Sequence, residues 1–146
     1  MNLEKQELLF SIFHDGSIYE LRDAPDQLTF QVDIMYLAER INPSFRCFYI
    51  YVKKPLNFYF EESISLKKII DLEVINKLEL EILKTDIDEG VIKVFCSAEN
   101  GNNFGFLYIK ADEIEIYDQA HKSIELDRLR IIAQEYWDDF GKRYRQ

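Results

Sequence analysis

The clearest alternation of apolar and polar positions runs from Leu28 to Tyr36. Leu28, Phe30, Val32, Ile34 and Tyr36 interleave with Thr29, Gln31 and Asp33. A period of two puts one set of side chains on each face, so this segment predicts a strand with one buried and one wet face. Phe45–Val52 is apolar at both parities and predicts a central strand covered on both sides. Lys53-Lys54-Pro55 interrupts it, with a bend or an edge expected at Pro55, before Leu56, Phe58 and Phe60 continue extended.

Further along, Leu78, Leu80 and Ile82 alternate with Glu79, Glu81 and Leu83, and a turn at Asp86–Gly90 leads into Val91–Ser97. Glu99–Asn103, with Asn100-Gly101 at its core, predicts a tight turn into Phe104–Ile109. Ile114 and Ile116, alternating with Glu113 and Glu115, predict another strand after Ala111. Ser63–Leu72 is harder to read: Leu66, Ile69 and Ile70 have helical spacing after a possible Ser65 cap.

The period changes at the C-terminal end. Leu126, Leu129, Ile132, Ala133, Tyr136, Trp137 and Phe140 form one helical stripe, predicting an amphipathic helix over about 127–141 that docks on the sheet. Asp127 suits its N-cap, a Leu126–Ile131 staple would span that cap, and Gly141 is expected to end the helix.

Leu8–Phe13 is a short apolar run that fits either helix or strand. The Asp15-Gly16 pair after it favours a hairpin of the primed-turn type, setting Ile12 opposite Tyr19 and Phe10 opposite Leu21; a helix ending near His14 is the alternative. Short turns throughout imply antiparallel neighbours, since parallel strands need crossovers of a dozen residues or more. The expected fold is therefore mainly β within an α+β class. It is an antiparallel sandwich of about seven to eight strands closed by the C-terminal helix, in one domain over residues 1–146.

Composition supports a sheet. The chain has 11 Phe and 9 Tyr, side chains that suit a pleated surface. A formal net charge of −9 disfavours nucleic acid and anionic membranes, which would repel it, and suits a basic protein partner. The residues show no signal peptide and no apolar run of membrane-spanning length, so a cytoplasmic setting is expected. Cys47 and Cys96 sit in apolar runs and read as buried thiols.

His14-Asp15 is the one pair that invites comparison with metal-dependent hydrolases. Such sites need three or more ligands, and the only other histidine is the distant His121, so the plainer reading has His14 and Asp15 shaping a turn. Asp86-Ile87-Asp88-Glu89-Gly90 resembles the start of a calcium loop. Counting from Asp86, however, places Val91 and Ser97 where Gly and Glu belong. No nucleophile elbow or phosphate loop occurs, so no catalytic residue, metal ligand or cofactor is assigned. Glu79, Glu81, Asp112, Glu113, Glu115 and Asp118 would form an acidic docking face if their strands are neighbours; otherwise they are the wet face of a sheet. Tyr49, Tyr51, Phe58 and Tyr59 could line a ligand pocket, although strand aromatics are more often core.

Phe13-His14-Asp15-Gly16-Ser17-Ile18, followed by aromatic-rich strands and a closing helix with Tyr136-Trp137, resembles small bacterial proteins that include immunity proteins. Immunity proteins neutralise a toxin by binding it. The resemblance rests on six residues and the layout. It implies a cytoplasmic, non-enzymatic binder with an acidic surface, and carries over no catalytic residue. His14 and Asp15 join the six acids as candidate binding residues, with a metal-dependent hydrolase around His14/Asp15 as the alternative function.

Overall fold

A computed structural model describes residues 1–144. The elements follow in the order α1 (Leu3–Ile12), β1 (Ser17–Ala24), β2 (Gln27–Asp33), α2 (Met35–Ala38), β3 (Cys47–Glu62) and β4 (Lys68–Ile69). They continue with α3 (Leu72–Lys77), β5 (Glu81–Asp88), β6 (Val91–Ala98), a 3-10 turn at Glu99–Gly101, β7 (Asn103–Tyr117) and α4 (Leu126–Tyr144). The fold is mainly antiparallel β with a C-terminal helix, as the sequence predicts. All seven strands belong to one sheet in the order β2-β1-β5-β6-β7-β3-β4, and β2 also pairs with β3. The sheet thus curls round until it meets itself, and the facing layers of the expected sandwich are the walls of this single curl.

The first segment is a helix, not a hairpin arm. Asn2 caps it, its side chain accepting from Lys5 N at 2.9 Å. Asp15 alone of the Asp15-Gly16 pair has positive φ, at 71°. Gly16 is needed for another reason: a Cβ there would lie 2.8 Å from Phe13 O and 2.8 Å from Val32 Cγ1. Asp15 N and Ile82 N then bond to Ile82 O and Gly16 O, so the expected turn joins β5 instead of closing a hairpin. The curl wraps α1: the helix lies against β5 and β6, while Phe10 meets Phe30 of β2 and Phe13 meets Phe48 of β3. Burying these rings between α1 and the paired strands β2 and β3 removes several large apolar side chains from water, each contributing about 1.5–3 kcal/mol.

Other expectations shift in detail. Leu28–Tyr36 is strand only to Asp33, and Tyr36 lies on α2. β3 continues through Pro55, where an extra residue before Asn57 and Lys54 at φ 47° make the expected bend as a bulge, but it is buried on one face only, with Tyr49 and Tyr51 half-exposed on the other. β7 runs unbroken through Ala111. In the Ser63–Leu72 stretch there is no Ser65-capped helix; a two-residue strand precedes α3, whose cap is Asp71. Helix α4 begins at Leu126 and passes Gly141. Ile131 is 47% exposed, outside any staple. α4 makes its densest contacts with α1 and α2, and its first residue, Leu126, shares a depression with Ile114 and Ile116 of β7.

Candidate functional site

His14 closes the C-terminal turn of α1. Its Nδ1 lies 2.9 Å from Ser11 O, so Nδ1 carries the proton and donates. Nε2 stands 3.8 Å from the Asp15 carboxylate. The ring stacks on Trp137 of α4, and Tyr36 donates to the His14 carbonyl at 3.0 Å. Tyr36, Tyr136 and Trp137 complete an aromatic cluster, with Arg40 over the Tyr136 ring and paired to Asp139. These contacts fasten α4 to α1 and α2. Among the described residues, no three His, Cys, Asp or Glu side chains converge as metal ligands.

The six candidate acids do not gather on one face. β5 and β7 flank β6 and are not neighbours. Glu81 lies opposite Ser97, which lies opposite Phe104, nine residues along β7 from Glu113. Glu79 is exposed beyond α3, and Asp112 is exposed near Leu56. Asp118 is buried, its carboxylate accepting from Ala120 N and Lys122 N to shape the turn after β7. Glu113 accepts from the Met1 amine and Glu115 pairs with Lys53 at 3.4 Å. A hydrogen bond from that amine holds the Glu113 carboxyl below its usual range.

What the strands do assemble is an outer face of tyrosines. Register aligns Tyr19, Gln31, Tyr49 and Tyr117 across β1, β2, β3 and β7, and beside them Arg22, Thr29, Tyr51 and Glu115. Tyr51 and Tyr117 pack with centroids 4.9 Å apart, and His121 stacks on Tyr49 at 4.4 Å and 8°. The imidazole that looked isolated in sequence is thus part of this surface. Burial raises the pKa values of Tyr49 and Tyr117, with nearby acids adding to the effect.

A bulge in β1 shapes the middle of this face. Between Tyr19 and Arg22 the strand carries one extra residue relative to β2, with Glu20 at φ 58°. Simple alternation would send Glu20 inward beside Ile18. The bulge instead leaves Glu20 outside, where it pairs with Arg22 at 2.7 Å, and puts Leu21 in the core. Asn76 of α3 holds the distortion in place: its side-chain amide donates to Leu21 O at 3.0 Å and accepts from Leu21 N at 2.8 Å. The result is an open depression of about 240 Å³ lined by Glu20, Arg22, Thr29, Gln31, Tyr49 and Tyr51.

The sequence pattern reads Tyr49 and Tyr51 as core residues or the lining of a ligand pocket, and does not mark Tyr117 at all. The signal that could have exposed them was their shared parity on β3 opposite Phe48, Ile50 and Val52, but the aromatic run hid it. Among the described residues, no helix is long and apolar enough to cross a membrane. No protein-family model, curated protein or solved structure matches the chain.

Proposed function

We propose that this chain is a non-enzymatic protein-binding domain that holds a basic partner against its outer tyrosine face, in the manner of an immunity protein holding a toxin in the bacterial cytoplasm. The observation that carries the reading is the composition of that face. Half-exposed Tyr49, Tyr51 and Tyr117 form its centre, and Glu20, Asp33, Glu113 and Glu115 outnumber Arg22, Lys53 and the Met1 amine around them. Tyrosines supply large, rigid contact area at interfaces, and an acidic rim steers a basic partner in and fixes its orientation. The hydrolase alternative needs ligands around His14, where the imidazole is held by Ser11 O and Trp137.

The test is co-expression with the protein encoded by the adjacent gene, followed by pull-down and a toxicity-protection assay. A complex is expected that weakens as salt rises and weakens about tenfold or more with Tyr51→Ala or Glu115→Lys, both variants keeping the wild-type circular dichroism. Absence of a complex at low salt, or binding unchanged in both variants, rejects the reading.

A further inference from the structure

A second aromatic surface covers the outer face beyond the β3 irregularity at Pro55–Asn57. Register lines up Lys84, Phe95, Phe106, Glu61 and Lys68 in one row across β5, β6, β7, β3 and β4, and Asp86, Lys93, Tyr108 and Tyr59 in the next. The rings form a continuous chain. Phe104 stacks on Phe95 at 5.8 Å, Phe95 meets Phe106 at 5.2 Å, Phe106 meets Tyr108 at 6.5 Å, and Tyr108 stacks on Tyr59 at 4.8 Å. Beside this chain, Leu66 and Ile70 flank β4 with 67% and 70% of their surface exposed. Scattered exposed apolar residues are ordinary, but a contiguous aromatic patch with a charged rim has the anatomy of an interface.

We infer that this face binds a second copy of the chain in a symmetric dimer. Charge selects the occupant. The protein carries −9 overall, so two copies repel each other across most of their surfaces. On this face Lys68, Lys84, Lys93 and Lys110 answer Glu61, Asp86 and Asp88, leaving no net negative charge. The order of the charges is also self-complementary. A two-fold axis running across the strands between the two rows lays the Lys84 row of one copy over the Asp86 row of the other. Lys84 then meets Asp86, Phe95 meets Lys93, and Phe106 meets Tyr108. The second of these contacts repeats between molecules what Lys93 already does within one, where its Nζ stands 4.3 Å from the Phe106 ring centroid. An axis along the strands would set Lys84 against Lys68, so the first arrangement is the one the sequence favours.

Sedimentation velocity of the full chain over a concentration series tests this. The expected result is a species of twice the 17.5 kDa chain mass at high concentration. Lys84→Asp and Asp86→Lys, each alone, are expected to weaken the dimer about tenfold or more, because a symmetric contact repeats each clash. The double swap Lys84→Asp/Asp86→Lys is expected to restore it, and Tyr51→Ala, on the other stretch of the outer face, to leave it unchanged. Circular dichroism of each variant confirms its fold. A monomer at every concentration, a dimer indifferent to both single reversals, or a double swap that fails to rescue would each overturn the inference.

Discussion

The imidazole of His14 and the indole of Trp137 lie nearly parallel, their centroids 5.2 Å apart and their planes inclined by 17°. One ring ends the first helix and the other belongs to the last, so this contact joins the two ends of the described chain. His14 is therefore placed by packing, and its replacement should be read first as a change in how α4 docks.

His14→Ala is expected to cost about 1 kcal/mol, the worth of an aromatic pair beyond its buried area, and to shift the native fluorescence of the sole tryptophan. His14→Phe keeps a ring in place and should retain most of the stability. Chemical denaturation followed by fluorescence reads both. Equal losses for the two variants would show that the stack is not what stabilises this contact.

Asn76 bonds both backbone groups of Leu21, standing in for a strand where β1 bulges. Asn76→Ala removes both partners from a partly buried peptide group and is expected to cost about 1–2 kcal/mol. Because the bulge positions Glu20 and Arg22, partner binding should weaken too, while Asn76→Asp, which keeps the acceptor, should fall between. Urea melts and the pull-down assay separate the two effects.

Gly105 of β7 lies under the buried Phe60 ring. A Cβ there would sit 2.4 Å from Phe60 Cζ and 2.4 Å from Glu61 O. The ring cannot yield without displacing packed neighbours, and the second obstacle is backbone. Gly105→Ala should destabilise the fold by about 1–3 kcal/mol through overpacking, and pairing it with Phe60→Leu should recover part of that loss in thermal melts.

Burial, reinforced by Asp15 and Tyr136, pushes the Tyr36 phenol well above its ordinary pKa. In the unfolded chain this group ionises near pH 10. The folded state holds the proton longer, so the unfolded state binds fewer protons above that pH. The contribution is fully present below about pH 10 and is lost as pH rises beyond it. Tyr36→Phe should flatten the alkaline decline of stability, measured by denaturant melts from pH 8 to 11; an unchanged slope would remove Tyr36 from the account.

Where local patterning dominates, the sequence and the structure agree. The helical stripe from Leu126, the Leu28–Val32 alternation and the two turns flanking β6 all reflect short-range preferences for period and turn chemistry. The first helix was hidden because its two faces blur. Gln6 is buried with its amide bonded to Met1 O, while Leu8 is 37% exposed, so no clean stripe marks the segment. The curl of the sheet was illegible for a different reason. It depends on extra residues at Glu20, near Leu56 and near Leu83, of which only the region of Pro55 left a compositional mark. The tyrosine face follows from the register between β2, β3 and β7, and no window along the chain contains all three.

The closure of the sheet through β2 and β3 around α1 also constrains the order of events during folding. The helix comes first in the chain, yet its walls include β5 and β6, and the long β7–β3 ladder joins residues from 43 (Glu62 and Gly105) to 68 (Tyr49 and Tyr117) positions apart. Such non-local pairing places folding in the slow range, about milliseconds to seconds. Until those strands arrive, Phe10 and Phe13 have no enclosure and the edges of β2 and β3 are open to other chains. The period of greatest vulnerability for this protein is therefore the interval between making its first helix and completing its last long strand.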